Sequence, residues 1–211
     1  MSRMTLAALT LVGTFSLAAC EDLGTQPTAL SAEPSESASD LRAPAPGSSP
    51  IAQIAIDAGF TELVGALVYV DAEMGTELVD LFMNGKDQFT VFAPTDAAFS
   101  NLYALLSTVL QTNIDEIRDV PAEVVLDVLL YHVAEGRRAS NSVVPKKGER
   151  TITSLLGETF GVRPNLSIRD GLTGLRTDAS IVRANISASN GIIHVISGVI
   201  VPPSVVAALT S

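Results

Sequence analysis

The sequence predicts an α+β domain, because the spacing of apolar residues changes along the chain and one segment joins a strand to a helix. Apolar residues recur at helical spacing through the first half of residues 50–211, and from Tyr131 onward the period shifts towards two. Residues 89–99, FTVFAPTDAAF, combine a short apolar strand, a proline and a helix start. Helices followed by antiparallel strands, with one early strand inserted, favour the α+β class over a doubly wound sheet.

Three helices are predicted before that segment. Apolar residues at spacings of three and four follow Pro50 and repeat after Gly59. The pair Asn84-Gly85 is typical of a helix end. The predicted helices cover residues 51–58, 60–68 and 77–83.

The segment 89–99 specifies a strand, its end and the helix that follows. Its aromatic and β-branched content suits a short buried strand, which Pro94 ends. Thr95 supplies an oxygen where a helix N-cap needs one, and Asp96 lies at the positive end of the helix dipole. Helical spacing then continues through Val109.

The second half of the chain predicts one more helix and a set of strands. Asn113 with Glu116 resembles a capping box for a short turn, and Pro121 begins an apolar helix over residues 122–130. After Tyr131, glycine, asparagine and proline end each apolar run. Strands are predicted at 151–155, 159–162, 166–169, 181–186 and 192–201, with a hairpin turn at 171–174.

The N-terminus has the pattern of an export signal. Arg3 precedes an apolar run at residues 4–17 that is too short to span a bilayer comfortably. Residues 17–20, Leu-Ala-Ala-Cys, resemble the lipobox of bacterial lipoproteins, so residues 1–19 are predicted to be a signal peptide and Cys20 to carry a lipid that holds the chain on a membrane. An ordinary signal peptide with a cysteine near its end is the alternative. Cys20 is the only cysteine, which excludes an internal disulfide and a cysteine-based zinc site.

Composition divides the mature chain into a tether and one domain. Residues 20–49 are rich in serine, proline, alanine and acidic residues, which predicts a disordered spacer with no core of its own. Residues 50–211 are rich in valine, leucine, isoleucine and alanine, enough for a single core.

Charge is unevenly divided along that domain. Residues 50–135 contain 14 acidic and 2 basic side chains, a net of −12, whereas residues 136–211 contain 4 acidic and 9 basic ones, a net of +5. The basic residues cluster in sequence and suit an anionic polysaccharide or lipid headgroups, or they simply offset the acidic helices. No interleaved aromatic residues accompany them, so nucleic acid is not an expected partner. The cluster includes Arg137, Arg138, Lys146 and Lys147.

The chain contains no recognisable catalytic or metal-binding pattern. Both histidines, His132 and His194, are embedded in apolar sequence, where a hydrogen-bonded core histidine is the more frequent outcome. Neither a nucleophile elbow, nor a phosphate-binding loop, nor a histidine pair at metal-ligand spacing is present. We therefore expect no enzymatic activity, no metal and no cofactor.

Three separated segments resemble, in order and spacing, the motifs of the fasciclin domain family. FTVFAPTDAAF at 89–99 is similar to the first box, LLYHVAEG at 129–136 to the Tyr-His box, and NGIIHVISGVIVPP at 190–203 to the second box. The resemblance covers essentially all of residues 50–211. It implies a compact α+β wedge, with helices packed on an antiparallel-rich sheet, and an extracellular adhesion or ligand-binding module without general enzymatic activity.

The resemblance also assigns roles to particular residues. Thr95, Asp96 and His132 match the family's hydrogen-bonding residues that tie the first box to the Tyr-His box. Tyr131 and its neighbours match a segment that some animal members use for integrin adhesion, although core packing is favoured for a tyrosine here. Ser197 stands where many relatives carry an acidic residue, which weakens the transfer of integrin recognition.

Two functions remain open from the sequence. The preferred one is an exported module, lipid-anchored in a bacterial cell envelope, that mediates adhesion by binding an unidentified protein or polysaccharide of the envelope, matrix or neighbouring cells. The other is a binding protein for a small apolar or saccharide ligand, which the apolar composition favours.

Overall fold

A computed structural model describes residues 45–173 and 178–209. The predicted signal peptide, Cys20, the tether up to residue 44 and part of the predicted hairpin turn at 171–174 lie outside the described residues. The backbone of residues 45–49 runs along the domain, where Gly47 and Ser49 each share a backbone hydrogen bond with residues 188–189. The last residues of the predicted tether therefore belong to the domain.

The helices of the described residues are concentrated in the first half of the domain, as predicted. The helix predicted over 60–68 runs further, to Met74, and the last two helices were not predicted. The α-helices are α1 Ile51–Asp57, α2 Thr61–Met74, α3 Leu78–Asn84, α4 Asp96–Leu110, α5 Ala122–Tyr131, α6 Ser140–Val143 and α7 Pro203–Leu209, with a 3-10 turn at Ile117–Asp119.

The strands form one sheet in the order β2-β1-β7-β6-β5-β4-β3. Only β1 and β7 pair in parallel among these neighbours; the other pairs are antiparallel. The α+β class predicted from the sequence is confirmed. The strands are β1 Phe89–Pro94, β2 Val133–Glu135, β3 Arg150–Thr153, β4 Thr159–Val162, β5 Ser167–Arg169, β6 Ala179–Ala188 and β7 Gly191–Ile196.

Every residue of β1 and β7 is buried, so both faces of this pair require a cover. One face contributes Val91 and Ile193 to a core that α1, α2, α4 and α5 complete. The opposite face contributes Phe92 to a second core, where the Phe160 ring of β4 packs edge-on at 5.0 Å between ring centroids. β1 and β7 thus lie between a helical layer and the β3–β5 part of the sheet.

Two local features of the structure differ from their predictions. The predicted strand over 192–201 ends at Ile196, because the chain turns away while its apolar side chains remain buried. The capping box is formed by Glu116 with Asp119 rather than by Asn113 with Glu116, and it caps the 3-10 turn. In contrast, Thr95 caps α4 as predicted, by accepting a hydrogen bond from the N–H of Ala98.

A carboxylate from α2 caps the next helix. Asp71 accepts hydrogen bonds from the hydroxyl of Thr76 and from the N–H groups of Leu78 and Val79. Burial opposes ionisation of Asp71, but these hydrogen bonds outweigh it and lower its pKa. The N-terminus of α3 is therefore held by a charge on α2.

The tight pairing of β1 with β7 can be tested with two glycines. A Cβ at Gly191 would lie against the carbonyl oxygen of Phe89 and 2.7 Å from Cδ1 of Ile51, whereas a Cβ at Gly65 in α2 meets nothing within 4 Å. We expect Gly191→Ala to lower the free energy of unfolding by about 1–3 kcal/mol, as overpacking does. Gly65→Ala, the matched control, should raise it by about 0.4–1 kcal/mol. Urea unfolding checks both, and a neutral Gly191→Ala would contradict the close approach.

Candidate functional site

The three motif segments meet where β2, β1 and β7 lie side by side, at one end of the strand order. The N–H of Phe92 in β1 donates to the carbonyl oxygen of His132, 2.8 Å away, so backbone joins the first segment to the Tyr-His segment. Thr90 strengthens this junction, since its hydroxyl donates to the carbonyl of Gly136 at 2.6 Å and accepts from the N–H of Arg138 at 2.8 Å. Thr90 was not singled out from the sequence, where an alternating strand residue gives no sign of its partner.

His194 connects the third segment to the same junction. Its Nε2 donates to the carbonyl oxygen of Arg138 at 2.9 Å, and its Nδ1 accepts from the N–H of Asn185 at 3.3 Å. Asn185 has a positive φ of 62° and lies where the register between β6 and β7 shifts. The ring of His194 therefore satisfies a backbone N–H that the β-bulge leaves without a ladder partner.

The side chain of His132 bonds to a different set of backbone groups from that of His194. Its Nδ1 donates to the carbonyl oxygen of Val128 at 2.7 Å, and its Nε2 accepts from the N–H of Ile200 at 3.1 Å. The ring is only 2% exposed. His132 thus ties the end of α5 to the loop after β7, in the neutral form that one donor and one acceptor nitrogen require.

The predicted direct bridge from Thr95 and Asp96 to His132 is wrong. The Thr95 hydroxyl caps α4, and the Asp96 carboxylate accepts from the N–H of Glu62 at 3.1 Å, which ties α4 to α2. Helix N-termini carry N–H groups without intrahelical partners, and these compete successfully for the two side-chain oxygens. Both ring nitrogens of His132 bond to other groups.

Tyr131 lies in the interior, so it offers no surface to a partner in this structure. Its ring is fully buried against Phe160, and its hydroxyl donates to the carbonyl of Thr159 at 2.8 Å. Burial, with smaller contributions from the carboxylates of Asp170 and Glu158, raises the pKa of Tyr131. Tyr131, which the family resemblance makes a candidate for adhesion, and its neighbour His132 are both core residues.

The four basic residues considered for binding an anionic partner fall into two groups. Arg137 and Arg138 belong to the scaffold, whereas Lys146 and Lys147 are exposed. Arg137 is partly buried and its guanidinium donates to the carbonyls of Ala188 and Gly191, and burial lowers its pKa. Arg138 is held by its backbone at the motif junction. Lys146 and Lys147 are exposed in the turn between α6 and β3, and neither makes an ion pair in the part of the chain that the structure describes.

An apolar cavity of about 130 Å³ lies among the helices. α2, α4, α5, α7 and the 3-10 turn form its walls. Half-exposed or exposed residues at its edge, including Leu106 and Leu110, show that it opens to the surface. A second cavity of about 30 Å³ lies between α1, α3 and β1. Residues that line the larger cavity include Leu63, Leu106, Val125, Val128, Val205 and Leu209.

The polar side chains that line the larger cavity already have hydrogen-bond partners. The Tyr103 hydroxyl donates to the Glu62 carboxylate at 2.7 Å. The Asp119 carboxylate accepts from the N–H groups of Asp115 and Glu116, and these bonds lower its pKa. His132 bonds through both ring nitrogens. The cavity therefore presents an apolar surface without polar groups in need of a ligand.

Within residues 45–173 and 178–209, no group of three or more His, Cys, Asp or Glu side chains is arranged to hold a metal ion. In the same ranges, no helix combines the length and hydropathy needed to cross a bilayer.

The fold and the junction define a single class of protein, an α+β module whose sequence motifs meet in its interior. The fasciclin domain profile matches residues 58–202, and the chain belongs to the fasciclin domain family. The family resemblance predicted from the three segments is confirmed.

Several known proteins are similar to this chain. Protein sll1483 of Synechocystis sp. is 35% identical over 64% of this chain and 66% of its own length. The cell surface glycolipoprotein MPB83 of Mycobacterium bovis is 30% identical over 60% of this chain and 49% of its own. The chain thus spans about half to two thirds of the length of these relatives. A solved FAS1 domain pair from the insect cell adhesion molecule fasciclin I is 15% identical, with a TM-score of 0.42, over 66% of this chain and 45% of that one.

The buried state of His194 predicts a pH-dependent stability. Burial lowers the pKa of His194 below its ordinary value, although the hydrogen bond to the Arg138 carbonyl partly opposes this. The unfolded chain then binds the proton more readily, so stability is full above about pH 6.5 and falls as the pH drops towards the folded pKa. We expect the wild type to lose up to about 1.4 kcal/mol per pH unit in this window through His194.

His194→Gln provides the comparison, since its amide can still donate to the Arg138 carbonyl. Chemical denaturation between pH 7.5 and pH 5 should give a smaller slope for the variant than for the wild type. Any contribution from His132 is common to both proteins. Parallel slopes would show that protonation of His194 is not linked to unfolding.

Proposed function

We propose that this chain is an exported envelope protein, held on a membrane by a lipid on Cys20, whose fasciclin domain binds another protein or a polysaccharide without catalysis. The main support is the combination of a lipobox-like segment with a domain of a family that includes a cell surface glycolipoprotein. The proposed division is a signal peptide at 1–19, an anchor and tether from Cys20, and the domain that follows.

The proposed tether separates the domain from the membrane. Residues 20–44 precede the first described residue of the domain. An extended polyproline-type chain rises about 3.1 Å per residue, so a spacer of this length extends over several tens of ångströms. A domain at this distance can contact a polymer or protein beyond the membrane surface.

The exposed lysine turn between α6 and β3 is the surface that we assign to an anionic partner. Lys146 and Lys147 extend into solvent, whereas Arg137, in the same sequence cluster, is already engaged by backbone carbonyls. The first half of the domain is strongly acidic. An anionic polymer would be repelled by that half and attracted to the lysine turn.

The anchor can be tested with one substitution. Cys20→Ser should move the chain from the membrane fraction to the soluble fraction or leave it unprocessed, and labelled palmitate should enter only the wild type. A control that adds Ser31→Cys to this variant restores a thiol outside the Leu-Ala-Ala-Cys pattern and should not restore labelling. Unchanged fractionation with no palmitate in the wild type would refute the lipoprotein assignment.

The lysine turn can be tested by charge reversal. The double variant Lys146→Glu, Lys147→Glu should bind purified envelope polysaccharide, or heparin as an anionic probe, at least thirtyfold more weakly at low salt. This follows because each lysine near an anionic surface contributes about 1 kcal/mol. Biolayer interferometry with residues 21–211 provides the measurement.

Lys86→Glu is the matched control for this test, because Lys86 is also exposed and lies in the connection between α3 and β1. It should reduce affinity much less than the double variant, and added salt should weaken wild-type binding. Equal losses per reversed charge in the control and the double variant would assign the effect to net charge. Absence of binding by the wild type to cells and to envelope polysaccharide would remove the basis for the adhesion proposal.

A further inference from the structure

We propose that the cavity among α2, α4, α5 and α7 binds a small, uncharged apolar ligand, one that presents a single ring or a short branched alkyl group. This site is separate from the lysine turn and does not depend on the adhesion proposal. The sequence left open a small apolar ligand or a saccharide, and this proposal retains only the apolar class.

The size of the cavity selects the size of the ligand. The cavity opens to the surface, but it extends between buried apolar side chains, and its volume of about 130 Å³ is far larger than a water molecule. An engineered apolar cavity of about 150 Å³ in another protein stays dry and binds benzene. The neighbouring cavity of about 30 Å³ is too small for a ring.

The chemistry of the lining excludes ligands that need hydrogen bonds. The polar lining groups Tyr103, Asp119 and His132 are already bonded within the protein. A saccharide would have to give up its hydration without gaining partners, which is unfavourable. An apolar ring gives up no hydrogen bonds and gains contact with leucine and valine side chains.

Charge at the edge of the cavity disfavours anionic ligands. Asp119 lines the cavity, and the short segment 115–119 also contains Asp115, Glu116 and one cation, Arg118, so three acidic residues and one basic residue give it a net charge of −2. These carboxylates would repel a fatty acid or an aromatic acid. An uncharged ligand therefore matches both the interior and the rim.

Entry is possible on the side where the lining is least buried. Leu110 at the end of α4 is 37% exposed, and Leu209 of α7 is partly exposed. Both line the cavity. A ligand that enters here passes between short apolar side chains, which change rotamer quickly.

The test uses residues 21–211, which include the whole tether and domain, with benzene and fluorobenzene as probes. At a benzene concentration ten times its Kd, the unfolding equilibrium constant should fall about elevenfold. The fluorine signal of fluorobenzene should show saturable binding. Benzoate, the anionic analogue, should bind at least tenfold more weakly.

Two variants locate the site. Val125→Phe places a ring in the cavity and should abolish binding, whereas Val68→Phe makes the same change on the exposed face of α2 and should retain it. Methyl NMR spectra of the wild type should show benzene-induced shifts at Val125 and Val205 and none at Val68 or Val182. This measurement decides the question even if Val125→Phe fails to fold.

Four results would overturn the proposal, and the first three concern the wild type. They are the absence of saturable binding up to the solubility of benzene, methyl shifts that occur only at exposed sites, and equal affinity for benzoate. Binding that persists in a folded Val125→Phe chain would do the same. None of these results bears on polysaccharide binding by the lysine turn, so the two proposals fail independently.

Discussion

The parallel pairing of β1 with β7 is the interaction on which the rest of the domain depends. It joins Phe89 to Gly191, which are far apart in sequence, and places two fully buried strands side by side. Such a pair cannot be stable until both faces are covered, so the helices and the β3–β5 strands are both required. Their separate cores, one with Val91 and one with Phe92, are consequences of this single pairing.

Burial of the β1–β7 region leaves backbone N–H and C=O groups that need hydrogen-bond partners, and the motif residues supply them. Backbone groups in the bulge of β6 and in the connection after β2 have no ladder partners, and the side chains of His194 and Thr90 supply them. Asn190 does the same for the start of α1 by accepting from the N–H of Ile51. Residues committed in this way to the scaffold are unavailable for recognition, so the motifs identify the fold and do not identify a ligand.

The sequence predicted those features that depend on neighbours along the chain. The strand at 89–94 and the Thr95 cap follow from proline, β-branched residues and a hydroxyl at fixed offsets, and the structure confirms both. The strand at 192–201 was predicted too long. An apolar run indicates that side chains are buried, but it does not show that the backbone pairs with a neighbouring strand. The partners of Asp96 and His132 were predicted wrongly, because they depend on how α2 and the loop at Ile200 pack in three dimensions.

The two proposed binding sites are built mainly from residues outside β1 and β7. The lysine turn precedes β3, at the end of the sheet order opposite to β2, and the cavity lies among helices whose inner faces cover β1 and β7. Lys146 and Lys147 can change without loss of a buried contact, whereas Val125 and Val205 are buried in apolar surroundings. The turn is therefore an exposed charged surface that makes no contribution to the core, whereas the proposed ligand cavity is part of the packing between the helices.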